Sequence, residues 1–402
     1  MVIAINKGMR EIIIQFFKLH TTLVRLVWRF LQLLLRICGC FVSVQPKTML
    51  FCSFGGRKFD DSPRAIYDEV CRRDEFKDWR LIWAFADIYK YKIPRGEIIK
   101  IDSIAFFKAL LYSRVWVSNS GMDRGIGLHR KQTIRVETWH GTPLKKIGGD
   151  ENQNGLRKKG SKAKRKLDAD TIRCAQSEYD LAIFKRIFNA EENKIILCDL
   201  PRNDSLLRYT QDRVCAIKQS IGIPLDKKVI LYMPTYREYL LNEDNKTYLA
   251  PPIDLKKWQE ELKSDYILLI RAHYAVNAAL EVKENGFVKD VSGYPYINDL
   301  YIVSDILISD YSSSFIDYAI LDRPMFCFAY DLEEYELKRG LYVKLEETLP
   351  CPIDKDEDSL IEHIKALDYQ KASDATRQFH NKYAPYAGHA SKSVVDEILK
   401  CL

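Results

Sequence analysis

The sequence predicts an α/β fold of two Rossmann-like, doubly wound parallel-sheet domains behind an amino-terminal amphipathic helix. Three observations carry that expectation. Short runs of Val, Ile and Leu are continuous rather than alternating, as strands buried on both faces require. Helical periodicity separates the runs, the pattern of parallel strands joined by crossover helices. The runs fall into two series, and 402 residues suffice for two domains of ordinary size.

Residues 1–45 form the leading segment. Lys7, Arg10, Lys18, Arg25, Arg29 and Arg36 stand there against one acid, Glu11, and supply most of the net charge of +7. At about 100° per residue, Lys7, Lys18, Arg25, Arg29 and Arg36 fall within roughly 40° of one another. Met9, Ile12, Phe16, Leu23, Val27, Phe30 and Leu34 lie on the opposite face, interrupted by His20. No uncharged run approaches the roughly 20 residues of a spanning helix, and no cleavage site follows Cys40. The expectation is a helix lying in the membrane interface, cations toward anionic headgroups, peripheral on the cytoplasmic face. A long helix packed on the protein itself is the alternative.

The first domain, residues 46–205, has strand candidates at Met49–Ser53, Leu81–Phe85, Ile98–Ile101, Val115–Ser118 and Ile134–Thr138, then Arg173–Gln176 and Ile195–Cys198. Pro63–Arg73 and Ile104–Tyr112 are helical between them. Pro201, Asn203 and Asp204 break the pattern before a helix from Gln211, which places the second domain at 206–372. Its strand candidates are Val229–Met233, Tyr266–Ile270, Val288–Val291, Ile306–Ile308 and Met325–Phe328. Residues 373–402 read as two helices around Pro385–Gly388. The ten cysteines show neither Cys-x-x-Cys nor zinc-like Cys/His spacing, which argues against a disulfide scaffold or a structural zinc and for a reducing compartment. Arg157–Lys166 holds seven cations and no acid, a solvated loop face or a contact for an anionic partner. No aromatic interleaves those cations, so nucleic acid is not the expected partner. Walker, Gly-x-Gly-x-x-Gly and nucleophile-elbow patterns are absent.

Ligands of open parallel sheets bind beyond the carboxyl ends of the strands, so chemistry is sought where apolar runs give way to polar residues. Four such exits occur. In Val136–Lys145, Gly141 follows His140 at a strand–helix corner, with Thr142 a fitting N-cap and Pro143 a fitting first helical residue. His140 is there a candidate general base; a capped corner with a satisfied His is the plainer reading. In Tyr232–Arg237, Thr235 and Arg237 can bind an anion, the guanidinium through a forked pair of hydrogen bonds. In Leu268–Tyr274, Arg271 and His273 share a face, and an ion pair or an incoming diphosphate would satisfy them. In Ile306–Tyr318, Asp310 precedes Ser312, Ser313 and Ser314 at the start of a helix from Phe315, whose free N–H groups attract phosphate. Asp310 and Asp317 could orient hydroxyls of a ribose or polyol.

Together, WHGTPLK at 139–145, YMPTYR at 232–237, RAH at 271–273 and SDYSS at 309–313 resemble the CDP-glycerol glycerophosphotransferase family, whose members build teichoic acids and related poly(polyol phosphate) polymers. The likeness spans about residues 50 to 390, in the family's order. It implies a GT-B-like pair of domains with the site in the cleft, CDP-glycerol or a similar CDP-polyol as donor, and a polyprenyl-diphosphate-linked acceptor. It implies His140 as the base, His273 as a second catalytic group, and Thr235, Arg271, Asp310, Ser312 and Ser313 on the donor; Arg237 and Asp317 join them by local chemistry. Tyr274 departs from the family pattern, which has Pro there. No cofactor is called for: the positive site makes a metal unnecessary, though Mg²⁺ could assist. Two rivals share the fold, a CDP-ribitol-using phosphotransferase and a GT-B glycosyltransferase using a nucleotide sugar. A non-catalytic membrane or RNA-binding protein is the rival from another class. Sequence leaves open the acceptor, chain length and oligomeric state.

Overall fold

Strand formation in this chain follows the apolar runs closely. The computed structural model describes residues 21–124, 128, 130–151, 171–237, 239, 251–272, 280 and 282–402. The segment 1–20, the basic run 157–166, His273 and Tyr274 lie outside them. Helix α1 (Thr21–Phe41) leads into β1 (Gln45–Cys52), α2 (Asp61–Arg72), β2 (Arg80–Phe85), β3 (Glu97–Lys100), α3 (Ile104–Tyr112), β4 (Ser113–Ser118) and β5 (Ile134–Glu137). Next come β6 (Arg173–Ala175), α4 (Glu178–Phe188), β7 (Ile195–Leu197) and a 3₁₀ segment, Pro201–Leu207, that carries the chain into the second lobe.

That lobe runs α5 (Gln211–Ile221), β8 (Lys228–Tyr232), α6 (Leu255–Leu262), β9 (Tyr266–Ile270), β10 (Val288–Asp290), α7 (Ile297–Val303), β11 (Ile306–Ser309) and α8 (Ser314–Ala319). It ends with β12 (Met325–Phe328), α9 (Leu332–Lys338), α10 (Leu345–Thr348), β13 (Ile353–Asp354), α11 (Glu357–Lys365) and α12 (Tyr369–Tyr383). Helix α13 (Ala390–Lys400) follows.

The sheets have orders β3-β2-β1-β4-β5 and β10-β9-β8-β11-β12-β13, with β6 and β7 paired beside the first through a bridge between Val136 and Ile172. All pairs within them are parallel. Both large sheets therefore reverse direction at one point, between β1 and β4 and between β8 and β11. A crevice opens at the strand ends there. Continuous burial on both faces explains the unalternating sequence. Leu81, Ile82, Trp83, Ala84 and Phe85 of β2 are all buried, with Phe51, Trp83 and Phe85 stacked in a row.

One feature differs from the sequence reading and a second goes beyond it. The helix expected after Pro143 is absent. Residues 144–146 instead run extended against the second lobe, Lys146 N–H donating to Gly340 O (2.9 Å) and Tyr342 N–H to Leu144 O (2.8 Å). Thr142 is no cap: its buried hydroxyl lies within hydrogen-bond reach of two acceptors, Gln176 Oε1 (2.8 Å) and Asp180 Oδ2 (2.9 Å). The second feature is α13, which leaves the second lobe and packs Ala390, Val394, Val395 and Ile398 into the first lobe's core. Asp204 accepts the Ala390 and Ser391 N–H groups at its start (2.8 and 2.9 Å).

Because Ile398 is fully buried, Ile398→Ala should cost about 2–5 kcal/mol. Chemical denaturation followed by tryptophan fluorescence, with Trp79, Trp83 and Trp116 in the same lobe, reads that loss.

Candidate active site at the lobe junction

His140 is held where β5 runs out beside β4. Thr138 N–H donates to Ser118 O (2.9 Å), which continues the sheet by one residue. The chain then turns through Trp139, whose φ of +59° is left-handed and costs a non-glycine residue roughly 1–3 kcal/mol. The Trp139 ring stacks on the His140 imidazole with centroids 4.2 Å apart. His140 Nδ1 lies 2.9 Å from Asn119 O. A carbonyl only accepts, so Nδ1 carries the proton and Nε2 keeps its lone pair. Burial lowers the imidazole pKa from 6.5, partly offset by that carbonyl and by Asp61. The ring is thus a neutral acceptor at neutral pH.

The other first-lobe exit follows β1. Phe54 N–H donates to Asn119 Oδ1 (2.8 Å), so one asparagine ties this loop to the imidazole. Gly56, at φ +81°, lets the loop pass against β2, where a Cβ would stand 2.9 Å from Ala86 N. Lys58 follows, with Nζ 5.4 Å from the Phe54 ring centroid. Burial and then the Arg271 charge lower its pKa.

Three second-lobe exits adjoin one another, after β9, β8 and β11. Arg271 Nη1 donates to Val291 O (3.2 Å) and Tyr294 O (2.6 Å), and burial lowers its pKa. Arg271 is thus near enough to disfavour the Lys58 charge, an effect that a bound anion would relieve. Thr235 N–H donates to Asp310 (2.9 Å to Oδ1), which closes β8 against β11, while the Thr235 hydroxyl is buried with no hydrogen-bond partner among the described residues. Ser312 Oγ accepts from Ser314 N–H (3.1 Å). Ser313 faces the first lobe directly: a Cβ on Gly141 would lie 2.3 Å from its Oγ. Only glycine permits that approach, and its φ of +148° also disfavours a side chain. His140 and the serine corner, far apart in sequence, are thereby adjacent. His273 lies outside the described residues.

Three of the expected donor ligands have partners within the protein. Arg237 is 0% exposed. Its Nε and Nη2 donate to Asp331 and its Nη1 to Asp310 and the Thr235 carbonyl, at 2.6–2.9 Å. Tyr311 and Tyr335 stack on each other at 3.8 Å beside it. Four of its five N–H donors are used in this way, and full burial keeps the side chain from the cleft. Asp310 is spent on the same guanidinium and on the N–H groups of Thr235 and Tyr311. Asp317 gives one oxygen to Arg202 Nη2 (2.6 Å) and the other to Asn203 Nδ2 (2.8 Å). These residues shape the cleft.

Arg202, Asn119 and Lys58 were not singled out from sequence. Arg202 and Asn119 sit in breaks of the apolar pattern; Lys58 follows Gly55-Gly56-Arg57 in the loop after β1. On the α2 and α7 side of Arg202 lies a cavity of about 410 Å³, lined among others by Asp60, Asp61, Arg64, Tyr296 and Asn298. Among the described residues no group of three or more His, Cys, Asp or Glu side chains could hold a metal ion.

Two Rossmann-like lobes meeting at their strand ends, with a neutral imidazole on one and a serine corner with an arginine on the other, define a two-lobed group-transfer enzyme. Residues 35–400 match the family CDP-Glycerol:Poly(glycerophosphate) glycerophosphotransferase, and the chain belongs to it. It is 36% identical to the teichoic acid poly(glycerol phosphate) polymerase of Staphylococcus epidermidis over 377 residues, covering 89% of this chain but 51% of that one. It is 32% identical to the teichoic acid glycerol-phosphate transferase of Staphylococcus aureus, over 87% of this chain and 92% of that one. A structure of a variant of the wall teichoic acid polymerase TagF soaked with CDPG is similar at a TM-score of 0.83 and 30% identity, covering 96% of this chain and 98% of that one.

Two outcomes follow. Because the pKa of His140 is lowered, a base role keeps it active below pH 6.5, and the acid limb of a kcat/KM profile should fall under that value. Arg237→Met leaves the buried Asp310 and the partly buried Asp331 without their cation and should cost about 3–5 kcal/mol, read as a lowered unfolding midpoint rather than a selective loss of donor binding.

Proposed function

We propose that this chain transfers glycerol phosphate from CDP-glycerol to a polyprenyl-diphosphate-linked sugar or a teichoic acid chain end, releasing CMP, at the cytoplasmic face of the membrane. The observation that carries this reading is the Gly141–Ser313 approach, which sets a proton-accepting imidazole beside a phosphate-suited corner. The acceptor hydroxyl gives its proton to His140 Nε2 as its oxygen attacks the β-phosphorus, and the bond from that phosphorus to the bridging oxygen breaks. Arg271, Lys58 and the serine corner offset the charge that grows on the bridging and leaving oxygens. The free Thr235 hydroxyl is a further donor or acceptor for the nucleotide diphosphate, and His273 belongs with Arg271 by its place in the chain.

Membrane attachment has its own support in α1. Leu26, Phe30, Leu33, Leu34, Ile37 and Phe41 are all exposed and fall within an arc of roughly 100° at 3.6 residues per turn. Exposed Arg29 and Arg36 flank that arc, and Leu35 packs toward the first lobe's core. An apolar face beside a cationic edge suits an anionic bilayer surface. Among the described residues no helix is long and apolar enough to cross a membrane.

The test is an assay with CDP-glycerol, CDP-ribitol and a lipid-linked acceptor, with CMP measured and product length read by mass spectrometry. CMP release with CDP-glycerol is expected. Release only with CDP-ribitol, or nucleoside diphosphate release from a nucleotide sugar, would replace this reading. General-base catalysis supplies about 10²–10⁴-fold, so His140→Ala should lose that much turnover while still binding donor. Phe30→Glu with Ile37→Glu should abolish co-sedimentation with anionic vesicles and leave the far-ultraviolet spectrum unchanged.

A further inference from the structure

Arg202 occupies a place that packing alone does not require. Its side chain is 8% exposed and spans both lobes. Nη1 donates to Asp61 Oδ2 (2.7 Å) and to the His140 carbonyl (3.1 Å), both in the first lobe. Nη2 donates to Asp317 Oδ2 (2.6 Å) in the second, one helical turn past the serine corner. The same Nη2 lies 3.8 Å from where a Gly141 Cβ would stand. Its neighbour Asn203 doubles the link, bridging Asp317 Oδ1 (2.8 Å) and Asp199 Oδ1 (3.2 Å).

Backbone strain gathers around this guanidinium. Asp61, Trp139 and Asp199 all have left-handed φ values, of +66°, +59° and +69°. Such conformations persist where surrounding contacts over-determine them. Here the contacts are those of Arg202 with Asp61 and with the His140 peptide directly after Trp139, and that of Asn203 with Asp199.

We infer that Arg202 is a positioning residue for the transfer step, clasping Asp61, the His140 carbonyl and Asp317 so that the His140 imidazole is fixed opposite Ser313 when the lobes meet. This rests on the proposed role of His140 as base. Arg202 touches no reacting atom; it acts through the peptide it holds. A planar fork that donates in two directions is needed, and the single ammonium of lysine cannot reproduce it. Misplacement of a catalytic group by about 1 Å can cost 10²-fold.

The test uses the full chain with CDP-glycerol and a lipid-linked acceptor, for Arg202→Lys, Arg202→Gln and His140→Ala, each checked for folding by thermal unfolding. Arg202→Lys should lower kcat by about 10–100-fold with the donor KM within about twofold of the parent. The charged groups acting on the imidazole are Asp61, Arg202 and Lys145. Arg202→Gln removes one cation and leaves Asp61 facing the ring, so the acid limb of its pH–rate profile should move to higher pH, whereas with Arg202→Lys it should stay. If Arg202→Gln does not fold, Asp317→Asn slackens the clasp while keeping the Arg202 cation, and a reduced kcat with an unmoved limb supports the inference. Parental kcat in Arg202→Lys, or a loss that only tracks the unfolded fraction, overturns it. His140→Ala separates the two levels: near-parental turnover there sinks the base assignment itself, whereas its inactivity beside a fully active Arg202→Lys sinks only the clasp.

Discussion

A guanidinium withdrawn from water must be matched by carboxylates brought to it, and Arg202 draws its two from different lobes. Asp61 comes from the start of α2 and Asp317 from α8. Neither lobe alone satisfies the cation, and removing either partner would leave buried charge uncompensated. Their meeting is therefore specified by more than apolar contact. The extended pairing of residues 144–146 with 340–342 and the close approach of Gly141 to Ser313 depend on the same relative placement.

Within the second lobe Arg237 plays the equivalent part. It joins the exits of β8 and β11 to Asp331 beyond β12, amid Tyr311, Tyr330 and Tyr335. It consumes Asp310, while Ser313 of the serine corner faces the first lobe and the Thr235 hydroxyl stays buried without a partner among the described residues. The first lobe uses an amide instead of a cation: Asn119 holds the loop after β1 with its side chain and the imidazole with its carbonyl.

The strands were legible because both faces of each sheet are buried, so apolar runs mark them without ambiguity. Tyr266–Ile270 and Met325–Phe328 agree to the residue. The two-residue β13 was not legible, being too short for any run. Thr142 and Pro143 carry a sound local helix signal, overridden by pairing with the second lobe that no local pattern records. The polar strand exits were visible as places, but the partners of each side chain were not. Nothing local to Arg237 or Asp317 announces their partners Asp331 and Arg202. Arg202 itself hides in a Pro-Arg-Asn-Asp break, where a residue type alone does not distinguish a surface turn from a buried junction. Helix α13 was placed correctly along the chain, yet which lobe it serves follows only from Asp204 at its start.

The chain passes between the lobes twice, at Pro201–Leu207 and between α12 and α13, and Asp204 buttons the two passages together. Held by one carboxylate, neither passage can shift without breaking its bonds to the other, and Arg202 lies two residues from that link.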